Sequence, residues 1–209
     1  MTVTDLKIGK HGLTYLFLDG EFALSVYPDL LYEYKIQKGS ELDTAALSSL
    51  TDAQQTLYAR NRALNILSAG DCSEQALYDK LVSRQIDPTY AAAAVAYCVE
   101  KGFVDDQRLL PRYLRHYFET KGYGIMRVRQ ALIKKGFRRE DVDAALEEYE
   151  PDNTAVIVSY LQKEPHEKLA DRKECSKIIQ KLMRKGFLYS DIRTALSHYT
   201  ELDLEDSDV

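Results

Sequence analysis

The side chains able to do chemistry are scattered along this sequence. Four histidines (His11, His116, His166, His198) and three cysteines (Cys72, Cys98, Cys175) lie far apart in 209 residues, without a C-x-x-C pair or the close His spacing of a metal site. Asp105-Asp106 follows Gly102-Phe103, where a helix N-cap belongs, and no other acid or histidine clusters with it. His116 beside Tyr117 and Phe118 reads as the rim of a core. The chain has no G-x-x-x-x-G-K-[ST] loop, G-x-S-x-G elbow or H-E-x-x-H helix. These patterns predict a protein that is not an enzyme and needs no metal or cofactor.

Charge is more informative. From Lys121 to Arg139 there are seven basic residues (Lys121, Arg127, Arg129, Lys134, Lys135, Arg138, Arg139) and no acid, whereas Glu140 to Asp152 holds seven acids and no base. Cations in the last turn of one helix and acids in the first turn of the next favour both helix dipoles, which explains part of the pattern. Arg127 and Arg129 stand early in their helix, where the dipole disfavours them, and point instead to a basic surface for an acidic partner or a nucleic-acid backbone. Arg112 and Arg115 add to it upstream, and Lys181, Arg184 and Lys185 repeat the theme downstream.

The net charge of −5 argues against a dedicated nucleic-acid binder, so any DNA contact must be local. Apolar residues at 45% and charged residues at 29% predict a packed, ordered chain. Free cysteines and the lack of a basic, apolar leader predict a reducing cytoplasm. No apolar run approaches the roughly 20 residues of a membrane span. Fifteen tyrosines with no tryptophan is an unusual balance; Tyr149 and Tyr199 share a repeat position, which favours packing over base stacking.

The elements that must position these residues begin with strands. Leu13–Leu18 and Glu21–Val26 flank Asp19-Gly20, a signal for a type I′ hairpin, and Val3–Ile8 before His11-Gly12 adds a third strand. Pro28 opens a short helix over Asp29–Tyr34. From about Asp43 the pattern is helical. Asp43 caps one helix and Thr51 or Asp52 starts a second, whose inward face carries Leu57, Asn61, Leu64 and Leu67. Asp71 or Ser73 opens the next helix, and Pro88 another that runs to about Lys101. The acidic stretch Glu201–Asp208 reads as a frayed, solvated end.

Three segments align without gaps at offsets of 51 and then 50 residues: those starting at Leu81, Leu132 and Leu182. Each is a helix end, a stop, an apolar residue and a new capped helix. Gly136 and Gly186 supply a left-handed C′ residue, and Phe137 and Phe187 fold back on the last turn; Gln85 replaces the glycine in the first copy at some cost. The fold class that follows is mainly α. Three tandem three-helix repeats (51–105, 106–150 and 151–200) form an elongated array, preceded by a small sheet and short helix in 1–50 and followed by an acidic tail, 201–209.

The stretches Ser73-Glu-Gln-Ala-Leu-Tyr-Asp-Lys-Leu81, Lys101-Gly-Phe-Val-Asp-Asp106, Lys121-Gly-Tyr-Gly-Ile125, Leu132-Ile-Lys-Lys-Gly-Phe137 and Lys181-Leu-Met-Arg-Lys-Gly-Phe187 resemble the RecX family over roughly residues 60–200. The order and spacing of these motifs carry the resemblance. Leu109-Leu110-Pro111 departs from the family pattern, and Pro111 predicts a cut or kink in a helix that other members keep continuous.

The resemblance implies a monomeric regulatory protein that lies along the groove of the RecA recombinase filament. It would restrain RecA's ATPase, strand-exchange and coprotease activities, and so act in DNA repair, recombination and the SOS response. Candidate contact residues are Arg112, Arg115, Lys121, Arg127, Arg129, Lys134, Lys135, Arg138, Arg139, Lys181, Arg184 and Lys185. The alternative is a helical module that grips single- or double-stranded DNA weakly through 121–139.

Overall fold

The computed structural model describes residues 1–149 and 151–206. Strands β1 (Val3–Ile8), β2 (Thr14–Leu18) and β3 (Glu21–Val26) form an antiparallel sheet in the order β1-β2-β3. Asp19 and Gly20 both take left-handed backbone (φ 48° and 91°), as a type I′ turn requires, and Leu18 pairs with Glu21 across it. A sheet this small needs cover. It comes from α1 (Pro28–Glu33) and α2 (Thr44–Leu67), whose Leu30, Leu31 and Leu50 are buried with Val3, Leu16 and Val26. The buried Gln54 side chain accepts the Tyr27 N–H (2.8 Å), tying the end of the sheet to α2.

One helix, not two, spans this region. The Asp43 carboxylate caps it by accepting the Ala46 N–H at 2.7 Å, and α2 then runs unbroken past Thr51 and Asp52. Those residues are spent otherwise: the Thr51 hydroxyl donates to the Leu47 carbonyl (2.8 Å), and Asp52 accepts the Tyr90 hydroxyl (2.7 Å). The buried stripe is also rotated. It comprises Leu50, Gln54, Ala59, Ala63 and Ile66, leaving Leu57, Asn61, Leu64 and Leu67 half-buried. The cause is α4 (Pro88–Glu100), which packs along α2 with Ala91 and Ala94 buried against its neighbours. Alanines on both helices let the backbones come close, and bulk alone did not reveal that face.

The remaining helices are α3 (Glu74–Val82), α5 (Asp106–Arg115), α6 (Ile125–Lys134), α7 (Arg139–Glu148), α8 (Asn153–Leu161), α9 (His166–Ala170), α10 (Arg172–Arg184) and α11 (Tyr189–Asp206). Helix α11 continues to Asp206, through most of the stretch expected to fray; 207–209 lie outside the described residues. The chain divides into two compact units. One comprises Met1–Asp71 and Leu77–Val104, and the other Cys72–Ala76 with the chain from Asp105 onward. The second unit holds two cores, one under α5–α7 and one under α8, α10 and α11.

The repeated turn recurs in atomic detail. Gln85, Gly136 and Gly186 have φ of 64°, 90° and 93°, and the following N–H of Ile86, Phe137 and Phe187 donates to the carbonyl of Leu81, Leu132 and Leu182, each at 3.3 Å. Ile86, Phe137 and Phe187 are all buried. Within the second unit the two glycine turns dock on helix N-termini. The Ser73 hydroxyl donates to the Lys135 carbonyl (2.7 Å) and accepts the Ala76 N–H (3.2 Å), and a Cβ on Gly136 would collide with Ser73 and Ala76. Equivalently, the Gly124 N–H donates to the Lys185 carbonyl (2.9 Å) and the Met126 N–H to the Gly186 carbonyl (3.1 Å). A Cβ on Gly124 or Gly186 would drive into the other's backbone. Gln85 is exposed, so its turn can carry a side chain.

Pro111 neither cuts nor ends α5, which runs through it. It lies shortly after the first turn, where the Asp105 carboxylate caps by accepting the Arg108 N–H (2.9 Å), and Leu109, Leu110 and Leu114 anchor the helix on either side. The irregularity comes later, as one wide π turn over His116–Thr120 with the Lys121 N–H donating to the His116 carbonyl (3.1 Å). That turn buries Phe118, whose ring stacks on Tyr149 at 4.8 Å, while His116 is exposed.

Candidate partner-binding surface

All twelve candidate basic residues fall in the second unit, and the structure sorts them into three groups. The first is held by the protein's own acids. Arg129 Nε approaches Asp143 Oδ1 at 2.9 Å with both side chains about one-third exposed, and Arg139 reaches the other oxygen of Asp143 at 3.8 Å. Arg129 therefore ties α6 to α7, which accounts for a cation so early in its helix. Arg115 lies 4.0 Å from Glu119, and Lys181 lies 3.5 Å from Glu164.

The second group sits on tyrosine faces. Lys135 Nζ lies 5.1 Å from the centre of the Tyr113 ring, Lys185 Nζ 4.7 Å from that of Tyr160, and the Arg127 guanidinium 4.1 Å from that of Tyr123. Lys181 Nζ shares the Tyr160 ring at 5.0 Å. A ring quadrupole steadies a cation without cancelling its charge. Lys135 and Lys185 are equivalent repeat positions, each just before its glycine turn. Each is seated on a tyrosine from the opening helix of its own repeat. Arg127 also donates to the Arg184 carbonyl at 3.4 Å, which places it at the Gly124–Gly186 junction.

The third group is exposed. Lys121 and Lys134 have no acidic partner among the described residues; Arg184, Arg138 and Arg112 are exposed as well.

Sequence reasoning missed the seats of these cations. Tyr113, Tyr117 and Tyr123 form a row with ring centres 6.2 Å and 6.0 Å apart and nearly parallel planes, Arg127 at one end and Lys135 at the other. The only signal was the surplus of tyrosine. Tyr149 and Tyr199, read as packing residues, do lie against the two cores of this unit.

Asp105 caps its helix as expected, but Asp106 has a second task that spacing could not show. Its carboxylate accepts the Glu74 N–H at 3.0 Å, fastening the start of α3. Burial pushes the Asp106 carboxyl above the usual aspartate value of 3.8. That N–H and Arg138 oppose the shift, and Glu74 and Asp141 add to it. Among the described residues no group of three or more His, Cys, Asp or Glu side chains could hold a metal ion. Nor is any described helix long and apolar enough to cross a membrane.

Comparison with known proteins agrees with this architecture. Residues 59–98 match the family description "RecX, first three-helix domain", and residues 105–146 match "RecX, second three-helix domain". The chain is 30% identical over 191 residues to the regulatory protein RecX of Levilactobacillus brevis, covering 88% of this chain and 71% of that one. It is 29% identical over 191 residues to the regulatory protein RecX of Clostridioides difficile strain 630, covering 90% of each. The crystal structure of RecX from Lactobacillus salivarius superposes with a TM-score of 0.64 at 26% identity, over 71% of this chain and 98% of that one. A second crystal structure of regulatory protein RecX shares the fold, with a TM-score of 0.65 at 24% identity over 93% of this chain and 98% of that one.

Proposed function

Because this chain belongs to the RecX family of regulatory proteins, we propose that it binds the RecA recombinase filament and restrains its ATPase, strand-exchange and coprotease activities. It would act in the cytoplasm as a monomer, without a cofactor, in DNA repair and recombination. The observation that carries this reading is the pair Lys135 and Lys185. These are two equivalent cations in successive repeats, each steadied on a tyrosine ring and left charged. A filament repeats one surface along its length, and equivalent cations in successive repeats suit a partner that repeats an acidic patch. The test is the single-stranded-DNA-dependent ATPase of the cognate RecA. Sub-stoichiometric protein should suppress it; undiminished hydrolysis at a molar excess would refute the reading.

One observation favours direct nucleic-acid binding as a second reading. Lys121, Lys134 and Arg138 stand exposed within 121–139, a stretch of seven bases and no acid that suits a phosphate backbone. Phosphate binding loses nearly one decade of affinity per decade of salt for each phosphate neutralised. A steep slope for DNA in the absence of RecA would support this reading, and a flat or absent signal would remove it.

A further inference from the structure

A cavity of about 390 Å³ opens in the second unit beside α8 and the turn that follows α10, its lining including Val156, Ser159, Tyr160, Lys163, Lys185 and Phe187. Its floor is apolar and lies on the outer side of α8, opposite the wholly buried Ile157 and Leu161. Val156 is 41% exposed there, an aliphatic side chain turned to solvent at a concave spot. Lys163 and Lys185 stand at its edge with no acidic partner among the described residues, since the nearby Glu164 is shared by Lys168 (3.8 Å) and Lys181 (3.5 Å).

We infer that this cavity is an anchor for the protein partner. It takes one apolar side chain from an acidic segment, whose flanking carboxylates meet Lys163 and Lys185. The chemistry selects protein over nucleic acid. A base needs a free ring face, but two ammonium groups crowd the Tyr160 ring and Phe187 is 5% exposed, while Val156 and Ala155 offer only aliphatic surface. Small apolar pockets with a charged rim are where interfaces concentrate their affinity. Resting on the function proposed above, the occupant is an acidic segment of RecA.

The test compares full-length wild-type protein with Val156→Asp, Val156→Ile and Lys163→Glu, measuring binding to RecA filaments on single-stranded DNA by co-sedimentation. Circular dichroism should first show that each variant is folded. Val156→Asp should weaken binding by about tenfold or more and Lys163→Glu by several-fold, while Val156→Ile stays within about twofold of wild type. Lys163 is exposed, so that variant tests the site even if Val156→Asp does not fold. Wild-type protein that fails to bind the filament would overturn the parent reading. Wild type that binds, with folded Val156→Asp or Lys163→Glu equally tight, would overturn the anchor alone. Self-association of the wild type that Val156→Asp abolishes would give the cavity to a second copy of this chain and overturn the proposal likewise.

Discussion

Gly124 and Gly186 lie backbone against backbone: the Gly124 N–H donates to the carbonyl preceding Gly186 at 2.9 Å, and neither residue has room for a Cβ. Gly186→Ala must bear both a left-handed conformation and a collision with the backbone of Arg127. It should lose about 2–4 kcal/mol of stability. Gln85→Gly relaxes the same conformation at an exposed turn and should gain up to about 1 kcal/mol. Urea unfolding of the two variants checks the sign of each; equal effects would mean that the junction is not tight.

Phe137 and Phe187 close equivalent turns and are 4% and 5% exposed. Truncation of either to alanine should cost about 3–5 kcal/mol. A loss under about 1 kcal/mol for both, read from denaturant midpoints, would show that the repeated turns do not anchor their cores.

Asp106 should make the second unit more stable as the solution turns mildly acidic. Its folded-state pKa is raised above 3.8 chiefly by burial, so the ionised carboxylate costs stability at neutral pH. As pH falls through the folded value toward 3.8, the folded chain takes up the proton first and that cost is relieved. Asp106→Asn keeps an oxygen for the Glu74 N–H but cannot ionise. It should match or exceed wild-type stability at pH 7 and show a flatter pH profile on acidification toward 3.8, as followed by thermal melts in matched buffers.

Reversing Lys121, Lys134 and Arg184 together to glutamate should weaken suppression of the RecA ATPase by about tenfold or more while leaving the fold intact, because exposed charges seldom move stability by more than about 0.5 kcal/mol each. Arg129→Glu should behave differently. It breaks the tie to Asp143, so its first effect should be on the melting of α6 and α7. Wild-type suppression by the folded triple variant would exclude the exposed cations as the contact.

The strands, the hairpin type and the repeated turns were legible because local chemistry dictates them: Asp19-Gly20 sets a left-handed turn, and Gly136-Phe137 and Gly186-Phe187 set a helix stop wherever they occur. What sequence could not show is what lies far away along the chain. Alanines at Ala59 and Ala63 outrank leucines in α2 because α4 happens to lie there, and Asp143 claims Arg129 across a helix boundary. Pro111 does not cut its helix for a related reason. A rule about an isolated helix gave way to the cap at Asp105 and the leucine anchors around it. The candidate surface was legible as composition, but the tyrosines that seat its cations were not.

A joint made chiefly of main chain asks little of most side chains that face outward. Between Gly124 and Gly186 the fit is set by backbone hydrogen bonds and two missing Cβ atoms, so solvent-facing positions of α6 and α10 other than Arg127 and Arg129 can change as a partner's surface changes while the helices stay docked. The same economy favours growth by duplication. A copied segment of about 50 residues carries both halves of the joint, the helix start and the glycine turn, and can lengthen the stack without any new fit having to evolve. Adaptation in such a protein is divided between a frame that tolerates almost no change at two atoms and a surface left freer to vary.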